Sequence, residues 1–275
     1  MIERVFSGLF LWLYRQPLLS KWCDRLLGTL ERVTIVPDIK SFLKNLGKLF
    51  IYNRLASVFL VVIGIMAARI MGPAEFGRVG LVGSLAGFLY IPLLIGVNNS
   101  MYKYLPESND EERQQLMNTA LTGFMGTVIG CGLVFLGLTA SVAKVFHIDP
   151  EIWQMGVLFT VSVTFSNLAE SFLRGQMKYA AIAHLKLISN GVFFGLTAMI
   201  FLLFPKNKVG FTVFYYCNMF SLLVFIIPAI SGSGLCWKPY KFSRPIARQI
   251  YSLGTIVMIN MLFTAILTTS DIFVV

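Results

Sequence analysis

Four ionisable side chains sit inside or at the margins of long apolar runs, and it is there that this chain could do chemistry: Arg54, Glu170, Lys186 and Asp271. A charged group at membrane depth is costly, so it marks an ion or substrate path unless it reaches water or a partner. Arg54, in Tyr52-Asn53-Arg54-Leu55, falls one turn into an apolar run. It reads either as a cation that draws phosphate into a cavity or as an arginine that snorkels to the headgroups. Glu170 stands four residues before Arg174, which places both on one helix face. That pair is either an ion pair at the membrane interface or a proton or cation site. His184 and Lys186 open another apolar run and read as interfacial. Asp271, in Thr268-Thr269-Ser270-Asp271, faces either a cavity or a headgroup layer.

Amides add to this set. Asn98, Asn99, Asn118, Asn167, Asn190, Asn218 and Asn260 are spread over the apolar runs. Their usual use is hydrogen bonding between helices; lining a passage that binds hydroxyls is the alternative. The candidate substrate-contacting residues are therefore Arg54, Asn98, Glu170, Lys186 and Asp271.

Enzyme chemistry has no footing. There is no phosphate-binding glycine loop, no zinc-binding HExxH, no nucleophile elbow and no paired-carboxylate constellation. No cofactor or metal is expected. Cys23, Cys131, Cys217 and Cys236 lack metal-ligand spacing, and Cys131 and Cys217 fall in apolar runs where a thiol acts as a small hydrophobe. The formal charge of +10 would point to nucleic acid in a soluble protein, but no basic surface interleaved with aromatics accompanies it.

What must position these residues is a set of membrane-spanning helices. The chain is 56% hydrophobic and 13% charged, with a mean hydropathy of +0.74. Seven runs, at 50–71, 79–100, 116–141, 152–173, 181–204, 209–231 and 250–275, are each long enough to cross a hydrocarbon core of roughly 30 Å as one helix. The last is still apolar at Val275, so the chain reads as the N-terminal part of a longer one. The expected architecture is all-α: an amphipathic interfacial segment (1–46), a six-span bundle (47–231), a basic hinge (232–249) and the start of a second bundle (250–275). Within the first segment, Phe6, Leu9, Phe10, Leu13 and Tyr14 recur at helical spacing over a stretch too short to span. A cleaved signal peptide fits less well, because Arg15-Gln16-Pro17 follows it in place of small residues.

Basic residues set the orientation. Of the 23 Lys and Arg, eighteen lie before the first span or in alternate connections; Arg69, Arg78, Lys144, Lys206 and Lys208 lie on the other side. This bias predicts a cytoplasmic N-terminus. Asn98-Asn99-Ser100 is a formal glycosylation sequon, but it falls on the cytoplasmic side and is expected to be unmodified.

Three stretches resemble one family. They are Ala68-Arg69-Ile70-Met71-Gly72-Pro73-Ala74-Glu75-Phe76-Gly77 between the first two spans, Phe172-Leu173-Arg174-Gly175-Gln176-Met177-Lys178-Tyr179 after the fourth, and the basic stretch from Trp237 into Tyr251-Ser252-Leu253-Gly254. Their order and spacing, over residues 44–275, resemble the polysaccharide flippases of the multidrug/oligosaccharidyl-lipid/polysaccharide export superfamily. The resemblance implies 12 to 14 spans in two bundles and an aspartate in the seventh span, here Asp271. It also implies a polyprenyl-phosphate-linked saccharide as substrate, with membrane lipids and pathway glycosyltransferases or a polymerase as partners. Movement would come from two bundles rocking around a central site. The competing readings are a cation-coupled drug antiporter, against which stands the scarcity of embedded carboxylates, and a non-transporting membrane protein of polysaccharide assembly.

Overall fold

The computed structural model describes residues 37–146, 148–204, 209–235 and 242–273, with side chains at Gly47 and within Phe50–Ala265, Phe146 excepted. The predicted amphipathic segment before residue 37 and the tips at 205–208 and 236–241 lie outside the described residues. Among the described residues the regular structure is all helix. The helices are α1 (Pro37–Met71), α2 (Pro73–Leu94), α3 (Val97–Tyr104), α4 (Asp110–Gly137), α5 (Thr139–Phe146), α6 (Pro150–Gly175), α7 (Tyr179–Leu203), α8 (Phe211–Gly232) and α9 (Arg244–Phe273). Seven are long and apolar enough to cross a membrane; the short α3 and α5 are not. The chain is an all-α polytopic membrane protein. Its contacts divide it after Gly47, and the seven spans belong to the unit Lys48–Val275.

The expected spans are present, and their limits differ for local reasons. The run read as 79–100 is two helices. Pro92 removes a backbone donor from the last turn of α2, and Ile95 (φ 45°) and Gly96 (φ 63°) are both left-handed, so the chain turns sharply before α3. The polar stretch Asn109–Glu112, read as a connection, opens α4: the Asn109 side chain accepts the Glu112 N–H at 3.0 Å and the Glu112 carboxylate accepts the Asn109 N–H at 3.3 Å. Helix α9 begins at Arg244, so Arg244 and Arg248, read as part of the hinge, lie in its first two turns.

Helix α6 is the hub. It packs against α2, α3, α4, α5, α7 and α8, and 56% of its span is buried. Small and hydroxyl residues permit this: Gly156 brings α2 close, and the buried Thr160 and Thr164 hydroxyls donate to Gly156 O (2.6 Å) and Thr160 O (3.0 Å) within the helix. Apolar packing concentrates at its two ends. Phe193, Phe211, Phe214 and Tyr215 gather near its start, the Glu75 end. Met101, Met117, Phe124 and Phe172 gather near its finish, the Arg174 end.

At the Glu75 end, Gly72 (φ 82°, ψ 167°) makes a turn open to glycine, and Pro73 starts α2 with φ already set. Glu75 then reaches across the bundle to cap α8: its Oε2 accepts the Phe211 N–H at 2.9 Å. The other glycine contact that fixes the fold joins α9 to the α2–α3 turn. A Cβ at Gly254 would collide with Ile95 O, so the two backbones touch there.

Candidate functional site

The site is built on the turn that ends α6. The Met177 N–H bonds to Arg174 O and the Lys178 N–H to Leu173 O, each at 2.9 Å, with Met177 left-handed (φ 57°). Gly175 faces α3 directly; a Cβ there would lie 2.7 Å from Leu105 Cβ and 3.0 Å from Met101 O. The missing side chain lets α3 seat against the end of α6, bringing Tyr102 beside Arg174. The guanidinium lies 5.8 Å from the centre of the Tyr102 ring.

Glu170, one turn back on α6, is the buried centre, with only 7% of its side chain exposed. The pair with Arg174 is present. A third member joins it from α7: Lys186 Nζ donates to Glu170 Oε1 at 2.9 Å, the same oxygen that takes Arg174 Nη2. An unpaired carboxylate at this burial would cost several kcal/mol, and two cations offset that. The cations are not themselves sealed: Arg174 is 43% and Lys186 34% exposed. The cluster therefore carries one net positive charge and keeps N–H donors toward open space. Burial pushes the Tyr102 phenol above its ordinary value of 10, against the opposing pull of Arg174, so it stays a neutral hydroxyl at physiological pH.

The structure brings three of the predicted residues into one neighbourhood: Glu170, Lys186 and Asn98. Asn98 is buried on α3, accepts from the Asn99 amide at 3.2 Å and lies against the Tyr102 hydroxyl. Arg54 is elsewhere. It is exposed on α1, its guanidinium 4.9 Å above the Phe50 ring, on a stripe with exposed Val58, Val61 and Ile65. His184 is exposed and packs edge-on against Tyr52 of α1 at 4.8 Å. Asp271 lies on the far part of α9, near the opposite end from Arg244; its side chain is outside those described.

Sequence reasoning missed Tyr102 and the side chains that close the foot of α8. Lys178 Nζ, Gln176 Nε2 and Gln114 Nε2 donate to Gly232 O (2.8 Å), Ser233 O (2.8 Å) and Gly234 O (2.6 Å). Tyr102 was within reach: Asn98 and Tyr102 are four residues apart, and Gly96 marks where a new helix starts. The caps had no signal in the sequence, since their acceptors are backbone atoms more than fifty residues away.

Comparison with known proteins gives two findings. A family model described as "Polysaccharide biosynthesis protein" matches residues 42–275. The fold is similar to a solved structure described as "Crystal structure of MATE in the straight conformation", with a TM-score of 0.66 and 15% identity. That match covers 82% of this chain and 54% of the other, so this chain spans about half the length of the solved structure. No curated protein matches the sequence.

Proposed function

The chain belongs to the polysaccharide biosynthesis protein family, and on that premise we propose that it moves lipid-linked oligosaccharide precursors across the cytoplasmic membrane by alternating access, without catalysing a reaction. The observation that carries this reading is the family match running through all seven spans. The Arg174–Lys186 pair supports the substrate class, because a polyprenyl diphosphate needs cationic donors near headgroup depth. In this reading Asn98, Glu170 and Lys186 meet the substrate from one side. Arg54 attracts it from the α1 stripe, and Asp271 belongs to the seventh span's part of the path. The charge bias of the connections supports a cytoplasmic side for the Arg174 end and the N-terminus.

A drug antiporter is the second reading, favoured by the similarity to the MATE structure. Against it stands Glu170, which is held by two cations and so is poorly placed to serve as an exchangeable proton or cation site. Deleting the gene separates the two. Loss of surface polysaccharide with lipid-linked oligosaccharide accumulating in the inner leaflet is the expected result. Normal polysaccharide with raised drug sensitivity would transfer the case to the antiporter.

A further inference from the structure

We propose that Glu170 is an internal stand-in for a phosphate group: it occupies the Arg174–Lys186 donors when the site is empty and competes with a diphosphate that binds there. The inference rests on the proposed function and gives that site a ligand group and a competitor.

The geometry points this way. Two cations from different helices, Arg174 on α6 and Lys186 on α7, converge on one carboxylate oxygen, Glu170 Oε1. That is how a phosphate oxygen is held: a guanidinium fork and an ammonium point on one anionic acceptor. The acceptor is buried while its donors are about one-third or more exposed, so an incoming anion can reach the cations and contend with Glu170 for them. The neighbouring Tyr102 sets its ring against Arg174, with its hydroxyl against Asn98.

Depth agrees with charge. Arg174 lies in the last turn of α6 and Lys186 about two turns into α7, so the cluster sits toward one end of both spans, within reach of a headgroup layer. The cluster has charge +1. A diphosphate of charge about −2 would leave it at −1, with Glu170 repelling the ligand across a short gap. Without the Glu170 charge the two would balance. A transporter must release what it binds, and a built-in anion a few ångströms from the ligand weakens the bound state to that end.

The direction of one substitution tests this. The 275-residue chain is placed in phosphatidylcholine nanodiscs and titrated with a fluorescent polyprenyl diphosphate. Glu170→Gln keeps the shape and an amide acceptor but removes the charge; binding should tighten about tenfold. Arg174→Ala and Lys186→Gln should each weaken it tenfold or more, and Lys186→Gln leaves the Glu170–Arg174 pair intact, so it reports even where Glu170→Gln fails to fold. Inorganic pyrophosphate and phosphatidylglycerol serve as competitors. Competition by pyrophosphate alone assigns the site to a free diphosphate, and a requirement for the polyprenyl chain assigns it to the lipid. Unchanged or weaker binding by folded Glu170→Gln overturns the stand-in. Lipid binding by the parent with all variants equal overturns the cluster and leaves the proposed function standing. A parent that binds no polyprenyl diphosphate overturns both.

Discussion

The two ends of α6 are made from the same residue types and do opposite things. At the Glu75 end, Arg78 Nη1 meets Glu75 at 3.1 Å and Nη2 meets Asp149 at 3.9 Å, while Glu151 accepts the Thr212 hydroxyl at 2.9 Å. Two acids there share one base and the third bonds a hydroxyl, all in reach of water, while Glu75 also caps α8. At the Arg174 end, two bases share one acid that water scarcely reaches. The difference teaches that burial, more than residue type, decides what an ion pair is for. Exposed pairs decorate a cap and are worth little. A buried acid with two cations leaves a positive cluster at one end of the bundle, whereas the Arg78 cluster with Glu75, Asp149 and Glu151 at the other end is locally acidic.

The largest effect that bears on this comparison is all-or-none. In a variant without native cysteines, Cys at Lys144 on α5, near the Glu75 end, should react with an impermeant thiol reagent in intact cells. Cys at Asn109, at the Arg174 end, should react only after permeabilisation. The reverse pattern would put the positive end outside.

Next comes Glu170→Ala, which leaves Arg174 and Lys186 facing each other without their acid. We expect a loss of about 2 kcal/mol in unfolding free energy, below the ~3–5 of a fully buried broken pair because the cations can hydrate. The loss should persist in 1 M salt, as read by thermal unfolding in detergent. Gly175→Ala follows. A helical Gly→Ala usually gains up to ~1 kcal/mol, but this Cβ meets Leu105 Cβ and Met101 O, and overpacking costs ~1–3 kcal/mol. A net loss of about 1 kcal/mol is expected, with Gly175→Val clearly worse; no loss in either would mean that α3 can back away freely.

At the other end the effects shrink. Glu75→Ala should cost about 1 kcal/mol, the typical worth of a helix cap. Glu75→Gln, which can still accept the Phe211 N–H, should cost less than half as much. Arg78→Ala should cost under ~0.5 kcal/mol and nothing at high salt. If Arg78→Ala rivals Glu170→Ala, the two ends are not energetically distinct.

How far the sequence could be read depends on the range of each interaction. The spans were legible because hydropathy is a local sum, and the Glu170–Arg174 pair because four residues make one helical turn. Lys186 as the third member was not, since it depends on how α7 lies against α6. The break at Ile95–Gly96 was hidden by composition: Ile91 to Val97 is apolar throughout apart from Pro92 and Gly96, so hydropathy runs straight across a helix break. Asn109–Glu112 was misplaced for the converse reason, since the charges that end an apolar run are also the ones that open a helix.

Helix α8 is held at both extremities by other parts of the chain, Glu75 at its head and Gln114, Gln176 and Lys178 at its foot. Mechanically this removes a degree of freedom. Sliding α8 one turn along its axis would break bonds at both tips at once. A piston stroke is therefore opposed at both ends. Any large motion has to carry α2, α4, α6 and α8 together, as one stiff lever whose displacement is read at its edges.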